Sequence, residues 1–462
     1  MVEAARSGYP RAAATSHQDA MFSLPRLSRS AAPTPTPRER ARQIERVIEG
    51  SRRLLSERGE ANSVAIASEV LAELAKLPPE GWVEFCGVLD ADFAPDPGRV
   101  LHAAERYAAE PSASHLIALT AAAEPPRQEL LRRLSRAPGG TALIVALRRV
   151  LLDALRSRPE LAAVEADFLH LLGSWFNAGF LQMEQVDWRS SAALLEKIIH
   201  HEAVHAIDGW ADLRRRLQPD RRCFAFFHPQ LPGEPLIFVE VALVPEMPAA
   251  IAPLIDKQAA PRGEREFKVA AFYSISNCQP GLRGVSLGNF LIKRVAEYLQ
   301  REFPQLRTFC TLSPIPGFAD WLLRRSQPQV ERDGLPPRVA ERARAARALL
   351  AERHGADLAA LVSGVAPEAA DAELRDALLT LASFYLAHES VLPGGDPVAK
   401  FHLGNGARLE RLNWAGDLSR KGLKQSLGIM VNYLYALEEV EDNHDRFVHG
   451  EVVSARRIAR LL

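Results

Sequence analysis

A glycine-rich segment of this chain has the composition of an anion-binding loop. Residues 279–289, QPGLRGVSLGN, follow a strand-like run and precede a helical run. Gly281 and Gly284 permit tight turns and close approach of a ligand to the backbone. Backbone amides at the positive end of the helix dipole, together with Arg283, suit a pyrophosphate. The spacing matches neither a P-loop nor a Rossmann turn, so a glycine-rich turn without a ligand is the open alternative.

The same segment contains a formal nucleophile elbow. Residues 284–288, GVSLG, match GxSxG and precede the helical run. In an elbow the serine follows its strand directly, in a strained turn. Here residues 277–285 separate Ser286 from the strand-like run. An acyl-CoA thioesterase that uses Ser286 is therefore an alternative function and not the first choice.

Residues 201–205, HEAVH, match the zinc motif HExxH. On a helix, His201 and His205 would lie on one face, as a zinc site requires. The extended metzincin pattern needs a glycine and a further histidine where this chain has Asp208 and Ala211. We interpret the match as a helical histidine pair packed at a domain boundary, and we expect no metal.

Three polar side chains lie in short segments that can hold a reactive group. Ser313 occurs in LSPIPGF, where two prolines stiffen an extended loop after a strand. His402 adjoins the glycine-rich turn of FHLGNGA and could titrate near neutrality. Tyr435 ends the strand-like MVNYLY and offers a phenol. Taken singly, each also fits a plain loop, a packed histidine or aromatic packing.

The first part of the chain has helical periodicity. Apolar residues recur at helical spacing over residues 41–55, and further helical runs cover 63–77, 99–108, 115–122, 127–134, 142–155 and 161–176. Proline and glycine clusters separate the runs, and no strong strand occurs before about residue 185. We predict an all-α domain over residues 38–189. Residues 1–37, rich in Ala, Ser, Pro and Arg, are expected to be a disordered tail.

The pattern changes near residue 190. A long helical pattern over residues 191–217 precedes strand-like runs at 222–228, 236–243, 267–276, 308–312 and 430–437. A helix is expected over 289–303, and a charged helical insertion over about 325–390. We predict a mixed α/β catalytic domain over residues 190–462. The fold class is thus α+β and multidomain.

Composition excludes several function classes. The 462 residues carry 57 Lys+Arg and 57 Asp+Glu, so charge favours neither nucleic acid nor an anionic membrane as partner. No stretch approaches the roughly 18 apolar residues of a membrane span. The four cysteines form no CxxC pair. They indicate a reducing, cytoplasmic compartment and packed thiols.

Taken together and in order, the segments resemble malonyl-CoA decarboxylase. The stretches that carry the resemblance are EAVH at 202–205, RRCFAFFH at 221–228, PGEPLIFVEVAL at 232–243, FYSIS at 272–276, GLRGVSLGNFLIKRV at 281–295, LSPIPGF at 312–318, FHLGNGA at 401–407, RLNWAGDLS at 411–419 and MVNYLYALE at 430–438. The resemblance implies a helical N-terminal domain and a catalytic domain of the acetyltransferase (GNAT) type. That fold binds the CoA pyrophosphate on a loop between a strand and a helix, without a metal.

The resemblance also assigns roles to residues. It implies Ser313 and His402 as catalytic residues that contact the substrate, with Tyr435 in support. The implied loop for CoA consists of Arg283, Gly284, Val285, Ser286, Leu287, Gly288 and Asn289.

The implied reaction is the conversion of malonyl-CoA to acetyl-CoA and CO2. It proceeds through a thioester enolate that His402 protonates, without a cofactor. The family further suggests a homo-oligomer, a tetramer, that acts in fatty-acid metabolism. A GNAT-type acyl-CoA-dependent N-acyltransferase would share the fold and the loop, and it is the other alternative.

Overall fold

The computed structural model describes residues 36–56, 62–285, 287, 291–324, 335–355, 358, 361, 367, 370–392 and 394–462. The chain divides into two compact units between Leu171 and Leu172. Ser286, Gly288, Asn289 and most of the predicted tail lie outside the described residues.

The first unit is helical throughout its described residues. Its helices are α1 (Pro37–Leu55), α2 (Ser63–Leu74), α3 (Pro79–Ala91), α4 (Pro97–Ala109), α5 (Ala113–Ala123), α6 (Pro126–Ser135), α7 (Gly140–Ala154), the 3₁₀ turn Pro159–Leu161 and the start of α8 (Ala162–Trp175). Proline opens α1, α3, α4 and α6. It suits the first helical turn, where the missing N–H would have no intrahelical acceptor. Pro79 therefore begins a helix that the sequence reading had taken for a break.

The second unit is built on a mixed sheet. Its strands are β1 (Gln182–Val186), β2 (Arg221–Phe227), β3 (Ile237–Val244), β4 (Val269–Asn277), β5 (Thr308–Thr311), β6 (Arg408–Asn413) and β7 (Met430–Leu434). In the described chain they are ordered β1-β2-β3-β4-β5-β7-β6. The β4–β5 pair is parallel and the other pairs are antiparallel. β3 is buried along its whole length, which explains its unbroken apolar sequence.

Helices surround this sheet. They are α9 (Ala192–His201), α10 (Gly209–Arg216), α11 (Ala252–Ile255), α12 (Leu291–Glu302), α13 (Phe318–Leu323), α14 (Pro337–His354), α15 (Ala372–Phe384), α16 (Pro397–Gly404), α17 (Arg420–Ser426), α18 (Val440–Val448) and α19 (Arg456–Ala459). Short turns occur at Ala178–Phe180, Glu264–Glu266 and Pro280–Leu282, and a π-helical turn at Tyr385–Glu389. An all-helical unit followed by a mixed α/β unit confirms the predicted fold class. No described helix has both the length and the apolar character that crossing a membrane requires.

Three local predictions were wrong. Residues 182–186 form β1, paired with β2, although the sequence showed no strong strand there. QMEQV is largely exposed on this edge strand, so it lacks the apolar alternation that marks a half-buried strand. The helix predicted over 191–217 is interrupted between His201 and Gly209. β6 was missed because its RLERLN sequence is mostly polar.

The parallel pair places two predicted site segments at one edge of the sheet. In β4 and β5, Phe272 pairs with Thr311. Parallel strands have their carboxyl ends at the same edge, where ligands of open α/β sheets bind. The segment after Asn277 leads to α12, and the segment after Thr311 carries Ser313.

Candidate active site

Ser313, His402 and Tyr435 form one hydrogen-bonded line. Ser313 Oγ lies 3.0 Å from His402 Nε2, and His402 Nδ1 lies 2.9 Å from Tyr435 Oη. The three residues come from separate segments, and they are 5%, 4% and 2% exposed. The structure therefore brings together the three side chains that the sequence analysis selected as catalytic.

The direction of each hydrogen bond in this line follows from the bond between Ser313 and Thr311. Ser313 Oγ donates to Thr311 Oγ1 over 2.9 Å. With the Ser313 proton directed there, Nε2–H of His402 donates to Ser313 Oγ. His402 Nδ1 then accepts from the Tyr435 hydroxyl, since a neutral imidazole has one donor and one acceptor nitrogen. The line thus runs from Tyr435 through His402 and Ser313 to Thr311.

Burial sets the charge of His402. Desolvation lowers the pKa of His402 to about 3, because the surrounding protein does not solvate an imidazolium. This corrects the expectation that His402 titrates near neutrality. Burial also raises the pKa of Tyr435 well above its usual value. At physiological pH the line consists of neutral groups that can donate or accept protons.

His402 is held by a helix and by an aromatic face. It lies in the last turn of α16, beside the glycine-rich turn that follows the helix. Its ring stacks on Tyr433 with the centroids 4.7 Å apart and an interplanar angle of 29°. This contact fixes the plane of the imidazole and so the directions of both nitrogens.

Backbone pairing fixes the other two side chains. Ser313 N–H donates to the Val431 carbonyl over 2.8 Å, and Val431 N–H returns a bond of 2.9 Å. Tyr435 N–H donates to the Phe309 carbonyl over 2.8 Å. Ser313 and Tyr435 are therefore attached to the same sheet, one beyond each end of the β5–β7 contact.

The predicted CoA loop follows β4 after the short turn Pro280–Leu282. Val285 and Leu287 are buried and anchor the loop, whereas Arg283 and Gly284 are exposed. Gly284 has φ of 84°, a left-handed conformation that favours glycine. The described part of the loop therefore presents a cationic side chain and a bare backbone to the solvent.

The HExxH segment does not have the geometry of a zinc helix. α9 ends at His201, and Glu202 has extended backbone angles, so the two histidines do not share a helix face. The Glu202 carboxylate accepts from the Ser274 hydroxyl at 2.7 Å and from the His205 N–H at 2.8 Å. The interpretation as a helical histidine pair was therefore wrong, since the helix stops at Glu202, whose carboxylate joins the chain that follows to β4.

Sequence reasoning missed several residues that position the site. Thr311 accepts from Ser313, and its Oγ1 also accepts from Tyr433 N–H over 3.1 Å. Asp396 and Gly317 link the segments that carry Ser313 and His402. A sequence signal existed for Asp396, because Asp-Pro at a helix start is a recognisable N-cap. None existed for its contact with Gly317, which joins distant parts of the chain.

A cavity of about 640 Å³ lies elsewhere in the second unit. Its lining includes Arg338, His388 and Arg456, and it includes none of the predicted site residues. It is therefore separate from the Ser313–His402–Tyr435 line.

A mixed sheet that carries a buried Ser313–His402–Tyr435 line, in a unit that follows a helical unit, is typical of an enzyme with an α+β fold. Residues 179–462 match the family described as the malonyl-CoA decarboxylase C-terminal domain, and residues 93–176 match the malonyl-CoA decarboxylase N-terminal domain. The chain belongs to the malonyl-CoA decarboxylase family.

Similar proteins agree with this membership. A mitochondrial malonyl-CoA decarboxylase of Anser anser anser is 36% identical over 391 residues, covering 80% of this chain and 78% of that protein. The Mus musculus protein of the same name is 38% identical over 337 residues, covering 71% and 68%. The crystal structure of malonyl-CoA decarboxylase from Rhodopseudomonas palustris has 45% identity and a TM-score of 0.79, covering 90% of this chain and 99% of that one.

Proposed function

We propose that this chain converts malonyl-CoA to acetyl-CoA and CO2, with Ser313 and His402 as catalytic residues. The observation that carries the proposal is the hydrogen-bonded line from Tyr435 through His402 to Ser313 in a chain of this family. The line offers a neutral proton donor in a site with little exposure to water.

Decarboxylation requires a group that accepts the electron pair of the bond that breaks. When the bond between the carboxylate carbon and Cα breaks, its electrons pass into the Cα–carbonyl bond, and negative charge develops on the thioester oxygen. The thioester is thus its own electron sink. A preorganised donor to such an oxyanion typically contributes about 2.7–4 kcal/mol. We assign this hydrogen-bonding and orienting role at the malonyl group to Ser313.

The enolate carbon must then receive a proton. His402 enters the reaction neutral, because burial lowers its pKa to about 3. As Nε2–H passes its proton to Cα, the Tyr435 hydroxyl can deliver one to Nδ1, so that His402 stays neutral. When the product leaves, water returns a proton to Nε2 and Nδ1 passes its proton back to Tyr435, which restores the starting tautomer, and the buffer neutralises the hydroxide that remains. The enolate carbon is basic enough to drive this transfer from neutral donors.

The CoA moiety is proposed to bind the loop after β4. Arg283, Gly284, Val285 and Leu287 are the described members of that loop, and the proposal extends to Ser286, Gly288 and Asn289. β4 continues five residues beyond the Phe272–Thr311 pair. β4 therefore ends roughly 16 Å along the strand from that pair, and the loop follows after the turn Pro280–Leu282. An elongated ligand such as a CoA thioester suits this separation. The loop between β4 and α12, followed by the parallel β5, also supports an acetyltransferase-type fold.

Homo-oligomer formation is proposed through the helical unit. α4 and α5 have no buried residues, and Leu101, Leu116 and Ile117 are 61%, 47% and 69% exposed. Contiguous exposed apolar side chains of this kind mark interaction sites. We propose that a second copy covers this hairpin, and that the assembly is a tetramer.

We also retain the cytoplasmic location and the domain limits 38–189 and 190–462 as proposals. Support for a reducing compartment comes from the four cysteines, which are all free and buried. Cell fractionation tests the location, and it would contradict the proposal by finding the protein in an organelle.

The function is tested by incubating the purified protein with malonyl-CoA and a chelator, without an acyl acceptor. We expect acetyl-CoA and CO2 in equal amounts, measured by mass spectrometry of the CoA species and by CO2 release. Free CoA as the product would contradict the proposal and indicate a thioesterase. Unchanged malonyl-CoA would contradict it too and direct attention to an acyltransferase. A parallel assay with methylmalonyl-CoA measures substrate selectivity. A difference of one methyl group typically changes kcat/KM by about 10- to 200-fold.

A further inference from the structure

One buried carboxylate joins the two segments that carry Ser313 and His402. Asp396 Oδ1 accepts from the N–H groups of Val398 and Ala399, each over 3.0 Å. These bonds make Asp396 the N-cap of α16, the helix of His402. Asp396 Oδ2 accepts instead from Gly317 N–H, over 3.0 Å. Gly317 closes the LSPIPG loop that begins beside Ser313. The two oxygens of one side chain therefore serve two segments distant in sequence.

The buried surroundings make the charged form of this carboxylate energetically unfavourable. Asp396 is fully buried, with 0% exposure. Within the described residues it accepts from three backbone N–H groups, and no cation pairs with it. A buried carboxylate without a cation is unfavourable, although N–H groups at a helix start offset part of that cost. A serine at this position could also cap the first N–H groups of α16, and burying its neutral hydroxyl would cost less desolvation energy than burying a carboxylate.

The Tyr385 hydroxyl also lies against Gly317. A Cβ atom added to Gly317 would lie 2.2 Å from Tyr385 Oη and 3.4 Å from Asp396 Oδ2. Tyr385 begins the π-helical turn Tyr385–Glu389, a kind of turn that recurs at functional sites. Its ring also packs on Trp321, with the centroids 5.2 Å apart. Gly317 therefore lies against both the Tyr385 hydroxyl and the Asp396 carboxylate, and a side chain at this position would contact them.

We infer that Asp396 is a positioning residue, which fixes the Ser313 loop against the His402 helix through Gly317 and so sets the Ser313–His402 distance. The inference rests on the proposed decarboxylase function. It adds that catalysis depends on this bridge and not only on the N-cap of α16. Misplacement of a reacting group by about 1 Å can cost about 100-fold in rate.

Asp396→Asn tests the bridge directly. An asparagine has one acceptor oxygen, and its NH2 group cannot accept from an N–H. If the oxygen keeps the two capping bonds, the NH2 group faces Gly317 N–H and the bridge is lost. We expect kcat to fall by about 10- to 100-fold, while KM for malonyl-CoA changes less than about twofold.

The chain offers a matched control at Asp96. Asp96 also precedes a proline, and its Oδ1 accepts from the Gly98 and Arg99 N–H groups as the N-cap of α4. In the described part of the chain it makes no hydrogen bond to a distant segment. Asp96→Asn should therefore leave kcat and KM at the wild-type values. Comparing the two variants separates loss of a bridge from weakening of an Asp-Pro cap.

Two further variants guard against a failure of Asp396→Asn to fold. Asp396→Ser retains an N-cap but is too short to reach Gly317, so it should lose kcat as the asparagine variant does. Gly317→Ala breaks the bridge from the loop side, by contact with the Tyr385 hydroxyl. Adding Tyr385→Phe removes that hydroxyl and should restore at least part of the lost kcat.

The outcomes distinguish this inference from the proposed function. Wild-type protein that yields no acetyl-CoA would overturn the function. If the wild type is active but Asp396→Asn or Asp396→Ser retains wild-type kcat, the positioning role is wrong. A readout independent of turnover is the crystal structure of Asp396→Asn. There the Ser313 Oγ–His402 Nε2 distance, now 3.0 Å, should exceed the 3.5 Å limit of a hydrogen bond. An unchanged distance would also overturn the inference.

Discussion

At the scale of single residues, the site is a set of neutral donors held by their neighbours. His402 is neutral because burial excludes its charged form. Stacking on Tyr433 fixes the plane of the His402 ring, and Tyr435 and Ser313 form hydrogen bonds with its two nitrogens. In the proposed reaction, such a site protonates carbon without holding a permanent charge. It also depends on each hydroxyl, because no neighbouring charge replaces a lost donor.

Removing the Ser313 hydroxyl should lower kcat far more than it weakens CoA binding. For Ser313→Ala we expect a loss of about 100- to 1,000-fold in kcat, the range found when one donor to an oxyanion is removed. Steady-state kinetics with malonyl-CoA measure the effect, and CoA affinity is measured by titration. Ser383→Ala is the matched control, because Ser383 is buried and its hydroxyl has no partner in the described chain. Equal kcat values for the two variants would contradict the role of Ser313.

The Tyr435 hydroxyl should contribute less, because it acts through His402. Tyr435→Phe keeps the ring but removes the bond to Nδ1, so we expect kcat to fall by about 10-fold or more and KM to stay near its wild-type value. Tyr273→Phe serves as the comparison, since Tyr273 is buried and its hydroxyl has no partner among the described residues. If Tyr435→Phe behaves as Tyr273→Phe does, the proton route through Tyr435 is wrong.

At the scale of elements, the parallel β4–β5 pair decides where the two segments lie. Each strand delivers its following loop to the same edge of the sheet. α16 then brings His402 to Ser313, and β7 brings Tyr435 to His402. Each element thus contributes one group, and the loop after β4 is the proposed contact with CoA.

A change in the loop after β4 should affect binding more than chemistry. In Gly284→Ala the left-handed backbone becomes unfavourable by about 1–2 kcal/mol. We expect KM for malonyl-CoA to rise by about 5- to 30-fold, the factor to which that energy corresponds, with little change in kcat. Gly450→Ala is the control, because Gly450 has φ of 88° in open space away from the loop. A fall in kcat at unchanged KM would contradict the assignment of this loop to CoA binding.

At the scale of the whole molecule, the exposed apolar hairpin of α4 and α5 bears on assembly. Ile117→Arg introduces a charge where the proposed partner copy would bury an apolar side chain. We expect the protein to shift to a smaller assembly, as measured by light scattering during gel filtration. Val448→Arg alters another exposed apolar side chain, 65% exposed and in the second unit, and should leave the assembly unchanged. A wild-type mass for Ile117→Arg would exclude the hairpin as the interface.

The buried histidines also predict how stability depends on pH. Desolvation lowers the pKa of His402 to about 3 and that of His205 to about 4, whereas an unfolded histidine has about 6.5. The unfolded chain therefore binds more protons, so the free energy of unfolding falls as pH decreases from about 6.5 towards 4. His402→Gln removes one such group and should flatten this slope by up to about 1.4 kcal/mol per pH unit. Denaturant titrations between pH 7 and 4.5 measure it, and an unchanged slope would contradict a buried, neutral His402.

The sequence by itself determined the fold class and most helices and strands, and it selected Ser313, His402 and Tyr435, which the structure brings together. Periodicity shows which face of an element is buried, and short specific segments such as LSPIPGF carry the resemblance that selected these side chains. The sequence did not determine β1, β6 or the end of α9, because polar strands lack an apolar period and the contact of Glu202 with β4 joins distant parts of the chain.

Only the tertiary structure decided the chemistry of the site. The low pKa of His402 arises from burial by residues distant in the chain. The line from Tyr435 to Ser313 requires α16, β7 and the loop after β5 to meet. The bridge from Asp396 to Gly317 likewise joins segments 79 residues apart. Such contacts depend on how separate elements pack, which no local pattern of residues encodes.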